Sequence, residues 1–336
     1  MNGEKKLRGA ITAIGGFVPE YRLTNKELEM LVDTNDEWIL SRTGISERRI
    51  LKEKNVATSG MALKAIQQIL DKKNLDPKEI DCIICATMTP DMPFTVTAAF
   101  IASKIGASNA FGFDLTAACS GFLFGLTTAA SYIESGRYQK ILLLGIDNMS
   151  PFIDYTDRGT CILFGDGGGA ALVEANDEGM GVMDSFFRMD GEGRKMMHMK
   201  AGGSLNPATH ETVNKREHYA YMEGRAVFKY AVQGMSGACL SVMNKNNLTA
   251  NDIAWMVPHQ ANLRIIEAAA AEVGVPEEKI MLNIQQYGNT IAGTLPLCLW
   301  DYEKKLKKGD NLMLVTFGGG FTWGATWLKW AYNSAE

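Results

Sequence analysis

Long apolar segments are absent from this sequence of 336 residues. No stretch reaches the roughly 18 consecutive apolar residues that a helix needs to cross a bilayer. Residues 1–6, Met-Asn-Gly-Glu-Lys-Lys, also lack the apolar core and cleavage site of a secretory signal. We therefore expect a cytoplasmic protein with no membrane partner.

An excess of basic charge is absent as well. The chain has 34 Lys and Arg residues against 38 Asp and Glu residues, which gives a formal net charge of -4. Such a balance argues against nucleic acid as a principal partner. It leaves open the docking of an acidic protein on a local basic patch.

Cysteine is sparse, with six residues in the chain. In a long chain without a signal segment, these are expected to be reduced thiols and not a disulfide framework. Cys82 and Cys85 form a C-x-x-C pattern inside an apolar, strand-like run. Residues three apart on a strand point to opposite faces, and no second pair follows at zinc spacing. We interpret both as core thiols.

The sequence does contain an internal repeat, which bears directly on the fold. Residues 71–80 resemble residues 244–253, and the shared leucines, Leu75 and Leu248, are 173 positions apart. Residues 140–145 resemble residues 311–316 at an offset of 171. Two separate pairs of similar segments at nearly the same offset indicate that the chain consists of two structurally related halves.

Strand-like and helix-like patterns alternate within each half. Apolar residues recur at helical spacing in residues 58–70, and short apolar runs follow at 82–86, 111–115 and 141–144. Continuous apolar strands between helices indicate a buried, largely parallel sheet. The sequence therefore predicts an α/β protein with internal pseudo-twofold symmetry.

Ligands of such sheets collect at the carboxyl ends of strands, beside helix N-termini. Cys119 occupies such a turn, after the predicted strand at 111–115, where helix N–H groups would favour the thiolate. Asn289 lies 170 residues further on, at the repeat-related position. Position alone leaves a well-packed structural cysteine as the alternative to a nucleophile.

His259 follows the predicted strand at 254–257 and begins a helix, a location that favours a neutral imidazole able to donate to an oxyanion. A structural cap is the alternative; the histidines at 198, 210 and 218 look incidental. Three glycines, Gly318 to Gly320, follow the last repeated strand and permit close backbone approach. They match no nucleotide-binding motif. A Cys/His/amide set serves either peptidase-like hydrolysis or condensation on a thioester.

Eight ordered motifs separate these chemistries. From about residue 8 to 330 the chain resembles the β-ketoacyl-[acyl-carrier-protein] synthase III family of the thiolase superfamily. The motifs are Asn35-Asp36-Glu37-Trp38-Ile39, Arg42-Thr43-Gly44-Ile45, Ala117-Ala118-Cys119-Ser120-Gly121-Phe122, Asp157-Arg158-Gly159-Thr160, Phe164-Gly165-Asp166-Gly167, Pro258-His259-Gln260-Ala261-Asn262-Leu263-Arg264, Gly288-Asn289-Thr290 and Gly318-Gly319-Gly320-Phe321-Thr322-Trp323-Gly324.

The resemblance implies a thiolase-like αβαβα layered sandwich of two pseudo-twofold-related halves. Residues 1–180 would carry the nucleophile, and residues 181–336 would carry the His and Asn residues and the glycine-rich oxyanion loop. The family starts type II fatty-acid synthesis by decarboxylative Claisen condensation of an acyl-CoA primer with malonyl-acyl-carrier-protein. The products are β-ketoacyl-acyl-carrier-protein, carbon dioxide and CoA.

The resemblance also implies catalytic roles. Cys119 would hold the acyl group, while His259 and Asn289 would donate hydrogen bonds to the developing enolate. Backbone N–H groups of Cys119 and Gly320 would form the oxyanion hole. No metal or redox cofactor is expected, because both substrates arrive activated as thioesters.

Substrate-binding roles follow from the same resemblance. Trp38 and Arg158 would enclose the adenine of CoA, and Arg42 would contact phosphate. Gly224 and Asn262 would line the pantetheine channel.

Further expectations concern partners. Phe94 would bound the acyl pocket across a homodimer interface. Lys229 and Arg264 would contribute to docking of the carrier protein. Residues 188–221, rich in Gly and Met, would form a flexible flap at the pocket mouth.

The chain departs from the family pattern at two places. Ile291 stands where relatives often have Ser after Gly-Asn-Thr, and Ala271 and Glu272 stand where some relatives carry paired lysines. The first change bears on acyl preference and the second on carrier docking. The alternatives are a specialised secondary-metabolite condensing enzyme or acyltransferase of the same superfamily, a cysteine hydrolase, and a non-catalytic carrier-binding protein.

Overall fold

The computed structural model describes residues 7–334. Its strands are β1 (Arg8–Phe17), β2 (Arg22–Thr24), β3 (Glu47–Arg49), β4 (Cys82–Ala86), β5 (Phe111–Leu115), β6 (Lys140–Asp147), β7 (Gly167–Asn176), β8 (Gly181–Met189), β9 (Met197–Met199), β10 (Ala220–Met222), β11 (Trp255–Pro258), β12 (Asn311–Gly318) and β13 (Thr322–Lys329). Its α-helices are α1 (Asn25–Leu28), α2 (Asp36–Thr43), α3 (Thr58–Lys73), α4 (Thr97–Ile105), α5 (Gly121–Glu134), α6 (Arg158–Cys161), α7 (His210–Asn214), α8 (Gly224–Lys245), α9 (Leu263–Val273), α10 (Ile284–Tyr287) and α11 (Thr294–Tyr302).

Two mixed sheets organise the molecule. The first has the order β1-β7-β6-β4-β5, with β4 parallel to both β5 and β6. The second has the order β11-β12-β13-β8, with β11 parallel to β12. The sequence repeat pairs β4 with β11 and β6 with β12, and the order of strands in the two sheets pairs β7 with β13. The predicted boundary between residues 180 and 181 falls between β7 and β8, where the chain passes from one sheet to the other.

The sheets and helices form five layers. Helices α5 and α11 lie between the two sheets, and their apolar residues share one core with the inner faces of both. Helices α3 and α4 cover the outer face of the first sheet, and α8 and α9 cover the outer face of the second. Burying apolar residues on both faces of each sheet supplies the main free energy of folding. The predicted α-β-α-β-α architecture is confirmed.

The predicted elements of the first half are confirmed with small changes at their ends. The strands at 82–86 and 111–115 match β4 and β5, and the helix at 58–70 extends to Lys73. The second half departs from the repeat, because no described strand corresponds to β5. An isolated bridge between Met256 and Ile280 takes its place. In the first sheet, β5 is an edge strand, with one side unpaired among residues 7–334.

The C-x-x-C pair lies where the strand period places it. Cys82 and Cys85 are fully buried in β4, and each belongs to the core on a different face of the first sheet. Both are free thiols. Their interpretation as core residues is confirmed.

The segment expected to be a flap has regular structure. Strands β9 and β10 pair into an antiparallel ribbon, and helix α7 lies in the connection between them. Arg216 of this connection forms an ion pair with Asp154, which ties the segment to the first half. Among residues 7–334, no helix is both long and apolar enough to span a membrane.

The central helix α5 offers a direct test of the layered packing. Leu126 is fully buried between the sheets, so Leu126→Ala leaves a cavity and lowers the free energy of unfolding by about 2–5 kcal/mol. Urea denaturation measures the change. Leu240→Ala on α8 is the control, because Leu240 is 36% exposed and its truncation changes stability by only about 0.5 kcal/mol. Equal losses in the two variants would contradict the assigned core.

Candidate active site

A cavity of about 1010 Å³ opens where loops of the two halves meet. Cys119 from the first half and His259 and Asn289 from the second all line it. The structure thus brings together Cys119 and Asn289, which the repeat singled out, and His259, which the strand end singled out. The three residues lie near the carboxyl ends of strands and before the helices that follow, which is where α/β sheets bind their ligands.

Cys119 sits on a sharp turn between β5 and α5. Ala118, immediately before it, has φ of 48°, a left-handed conformation that is uncommon for a residue other than glycine. Gly318 packs directly against the turn, since a Cβ there would lie 2.7 Å from the Cys119 backbone nitrogen. The turn and the glycine loop together hold the thiol at the cavity wall, with 6% of Cys119 exposed.

The electrostatics at Cys119 differ from the sequence-based expectation. Burial, with the negative charge of Asp147 as a second cause, raises the pKa of the Cys119 thiol to about 12. Backbone N–H groups of Cys119 and Gly319 act in the opposite direction. The predicted stabilisation of the thiolate by N–H groups is present, but desolvation outweighs it. In the free protein, Cys119 is therefore a thiol and not a thiolate.

His259 is neutral, as the sequence predicts. Burial lowers the pKa of its imidazole to about 3. Its backbone N–H donates to the carbonyl of Val315 at 2.8 Å, which fixes the residue at the end of β11. A neutral ring offers one N–H as a hydrogen-bond donor without introducing a charge.

The Asn289 side chain has a defined amide orientation. Its Oδ1 accepts a hydrogen bond from the backbone N–H of Ile291 at 2.9 Å. The NH₂ group is consequently the end left to donate, because a flipped amide would face another donor. The backbone N–H of Asn289 donates to the carbonyl of Leu163 at 2.8 Å, which ties this loop to the first half.

The glycine loop places one of its backbone N–H groups against the Cys119 sulfur. Gly319 and Gly320 both line the cavity. However, the N–H group that acts on the Cys119 sulfur belongs to Gly319 and not to Gly320. The predicted role of Gly320 concerns an oxygen of the substrate and stays a prediction.

The predicted CoA-binding residues gather at the mouth of the cavity. The Arg158 guanidinium lies 4.9 Å from the Trp38 ring centroid and donates to the carbonyl of Asp33 at 2.9 Å. Gly224 and Arg42 line the mouth. A planar group entering between Trp38 and Arg158 must therefore separate a contact that exists in the free protein.

Asn262 has a structural role in addition to its predicted one. Its Oδ1 accepts from the backbone N–H of Arg264 at 3.0 Å and caps helix α9. Its Nδ2 donates to the carbonyl of Arg42 at 2.9 Å. The side chain therefore joins two of the residues at the mouth.

Positive charge surrounds the same opening. Arg42, Arg225 and Arg264 line the cavity, and none of them forms an ion pair with another described residue. No Asp or Glu side chain among residues 7–334 contributes to the lining. Lys229, one turn further along α8, is exposed outside it. The mouth thus suits an anionic ligand.

Phe94 does not line the cavity of its own chain. It lies in the loop before α4, is fully exposed and has φ of 78°. Its predicted contact with an acyl pocket would therefore require a second copy of the chain.

Two cavity-related residues were not identified from the sequence. His198, interpreted as incidental, lies on β9 and lines the cavity, with its ring 5.1 Å from that of Tyr221. Asp147 lies fully buried at the carboxyl end of β6 and affects the pKa of Cys119. The rule that located Cys119 and His259, a polar residue at a strand end, also applies to Asp147.

Comparisons with known proteins agree with this geometry. The family described as 3-Oxoacyl-[acyl-carrier-protein (ACP)] synthase III matches residues 113–191, and its C-terminal counterpart matches residues 243–330. A beta-ketoacyl-[acyl-carrier-protein] synthase III of Phocaeicola vulgatus is 54% identical over 332 residues, which cover 99% of each chain.

Solved structures give the same result. The 3-oxoacyl-[acyl-carrier-protein] synthase III of Aquifex aeolicus is 38% identical, with a TM-score of 0.88 over 96% of this chain and 100% of that one. The priming beta-ketosynthase of the R1128 polyketide biosynthetic pathway is 32% identical, with a TM-score of 0.89 over 96% of both chains.

The raised pKa of Cys119 predicts a distinctive pH dependence of alkylation. Because the thiol stays protonated near neutral pH, its rate of reaction with iodoacetamide rises roughly tenfold per pH unit from pH 7 to 9 without a plateau. Peptide mapping by mass spectrometry isolates Cys119 from the other thiols, and Cys119→Ser is the control. A plateau below pH 8 would instead show a thiolate at rest.

Proposed function

The chain belongs to the β-ketoacyl-[acyl-carrier-protein] synthase III family, and from this membership we propose how its cavity carries out the reaction. It is a condensing acyltransferase that initiates fatty-acid synthesis. The observation that carries the proposed mechanism is the convergence of Cys119, His259 and Asn289 in one cavity.

The first half-reaction is acyl transfer to Cys119. The sulfur attacks the thioester carbonyl of an acyl-CoA. The oxygen of the resulting tetrahedral intermediate accepts hydrogen bonds from the backbone N–H groups of Cys119 and Gly319. The bond to the CoA sulfur then breaks, and the proton of the Cys119 thiol leaves with CoA. The raised pKa of Cys119 belongs to the protein without substrate. During the transfer the departing CoA sulfur takes up the proton of the thiol, so the raised pKa does not prevent the reaction.

The second half-reaction is decarboxylative condensation. The bond between the malonyl α-carbon and its carboxylate breaks, and the electron pair passes to the thioester oxygen as an enolate. Neutral His259 and the NH₂ group of Asn289 donate hydrogen bonds to this oxygen. The α-carbon then attacks the acyl-Cys119 carbonyl, the carbon–sulfur bond breaks, and one proton from solvent restores the thiol.

The cavity mouth supports the proposed substrates. Arg42, with Trp38 and Arg158 beside it, would hold the nucleotide end of CoA, and Gly224 and Asn262 would flank the pantetheine arm. Both substrates enter as activated thioesters, so the proposed chemistry needs no metal or redox cofactor. A CoA-thioester substrate places the reaction in the cytoplasm in this proposal.

The carrier protein would dock on the exposed basic residues beside the mouth. Lys229 and Arg264 flank the opening, and Arg225 adds a third cation on α8. An acidic carrier would be attracted to this local patch although the whole chain has a net charge of -4. Rim charges of this kind act mainly on the rate of association.

The free edge of β5 supports a homodimer. Apolar side chains beside this edge are exposed in the single chain: Met92, Phe94, Val96, Phe100 and Phe111. An unpaired edge flanked by exposed apolar residues favours pairing with a second strand. A twofold axis at β5 would join the first sheets of two copies and bring Phe94 of each to its partner.

Removing one hydrogen-bond donor to the enolate tests the proposed roles of His259 and Asn289 in condensation and of Cys119 in acyl transfer. His259→Ala and Asn289→Ala each lower the rate of condensation by about 100- to 1000-fold, because each removes one hydrogen bond to the developing charge. Both variants still form the acyl adduct on Cys119, which intact-protein mass spectrometry detects after mixing with acetyl-CoA, isobutyryl-CoA or a longer acyl-CoA. Cys119→Ala is the control without an adduct. Full condensation activity in either donor variant would refute the assigned roles.

Introducing negative charge into the exposed apolar surface beside β5 tests the dimer. Phe100→Glu combined with Phe111→Glu places two carboxylates at the proposed interface, so sedimentation velocity should show the monomer. Leu240→Glu, which alters an exposed apolar residue on α8, should leave the dimer intact. A monomeric parent protein, or a double variant that stays dimeric, would argue against association through β5.

A further inference from the structure

Asp147 is a buried carboxylate with an unusual set of partners. It is fully buried at the end of β6, and it forms no ion pair with any of the residues 7–334. Its Oδ1 accepts four hydrogen bonds, from the hydroxyls of Thr87 and Thr89 and the backbone N–H groups of Met88 and Thr89, at 2.7–3.1 Å. Burial raises the pKa of Asp147 to about 6, and these donors oppose the rise.

The second oxygen of Asp147 has a single hydrogen-bond partner among residues 7–334, and this partner lies in the other half of the molecule. Its Oδ2 accepts from the backbone N–H of Ala292 at 3.0 Å. Ala292 directly follows Ile291, the residue whose own N–H donates to Asn289 Oδ1 at 2.9 Å. Ile291 thus lies between the N–H group that is bonded to Asn289 and the N–H group that is bonded to Asp147.

The conformation of Ile291 connects these two hydrogen bonds. Ile291 has φ of 53°, in the left-handed region, where a β-branched residue is a clear outlier. Its φ and ψ relate the peptide plane that faces Asn289 to the plane that faces Asp147. A conformation that costs free energy locally persists only where its surroundings hold it, and the Ala292 hydrogen bond supplies such a restraint.

We propose that Asp147 is a positioning residue, which fixes the left-handed turn at Ile291 through the Ala292 N–H and so aims the Asn289 amide at the enolate oxygen. The inference rests on the proposed role of Asn289 in decarboxylation. It adds a group that touches no substrate but sets the direction of one that does.

Asp147→Asn breaks this link selectively. The amide oxygen can take the place of Oδ1 and keep its four donors, because the reverse orientation would set an NH₂ group against the backbone N–H groups of Met88 and Thr89, which can only donate. The new NH₂ then faces the Ala292 N–H, donor against donor. The loss of negative charge also removes one cause of the high pKa of Cys119, so acyl loading should not slow.

The readout is the ratio of condensation rate to the rate of acyl loading on Cys119. We expect Asp147→Asn to lower this ratio by about 10- to 100-fold, the effect of a misplaced catalytic group. Loading, measured by quenched-flow mass spectrometry, should stay within about threefold of the parent. The release of carbon dioxide from malonyl-acyl-carrier-protein should fall in step with condensation.

Asp166→Asn is the matched control. Asp166 is equally buried and accepts from the Leu51 N–H and from the N–H and hydroxyl of Ser150, but it has no bond to residues 291–293. Its variant should lose stability without a fall in the ratio. An equal fall in both variants would reduce Asp147 to a general structural role and overturn the inference.

A double variant tests whether Asp147 acts through Asn289. Asp147→Asn combined with Asn289→Ala should be no more than about threefold slower than Asn289→Ala alone, because the group being aimed is already missing. Multiplying effects, or an unchanged ratio in Asp147→Asn, would overturn the inference while the role of Asn289 stands. Full condensation in Asn289→Ala would instead refute the proposed function on which the inference depends.

Rescue by glycine gives a second, independent measurement, which also serves if Asp147→Asn folds poorly. Glycine adopts positive φ without strain, so Ile291→Gly in the Asp147→Asn background should raise the ratio toward that of Ile291→Gly alone. Folding in that background should also improve. A folded double variant with no recovery of the ratio would contradict the link through Ile291.

Discussion

The active site depends on the packing of α5 and α11 between the two sheets. Both helices bury their apolar residues in one shared core, and the turns that precede them meet at the same cavity. A Cβ on Gly121, at the start of α5, would lie 3.5 Å from the Ala292 Cβ in the turn before α11. This closeness sets the Cys119 thiol of one half beside the Asn289 amide of the other, so the packing that stabilises the fold also assembles the cavity.

Burial then determines the charge state of the site. The same desolvation that raises the pKa of Cys119 lowers the pKa of His259, and at neutral pH both side chains are uncharged. A site of neutral donors can stabilise an enolate that appears only during the reaction, and it attracts no counter-ion beforehand. The arginines lie at the mouth, where they can bind anionic substrates without entering the reacting region.

Much of this could be predicted from the sequence because the chain repeats. Offsets of 170 to 173 residues located Cys119 and Asn289 at equivalent turns, and the strand period placed Cys82 and Cys85 in the core. The pKa of Cys119 could not be predicted, since burial is a property of the assembled cavity. The contact of the Gly319 N–H with the Cys119 sulfur could not be predicted, because three adjacent glycines are equivalent in sequence. Asp147 was missed because its partners, at residues 87–89 and 292, converge only in the folded chain.

The central claim is that His259 and Asn289, and not the thiol, stabilise the enolate. The most direct test follows the release of labelled carbon dioxide from ¹³C-malonyl-acyl-carrier-protein by the Cys119→Ala variant, which has no acyl acceptor. The account predicts that this variant still releases carbon dioxide above the uncatalysed rate, and that adding His259→Ala lowers the release by about 100- to 1000-fold. Carbon dioxide release that needs Cys119, or that persists unchanged without His259, would contradict it.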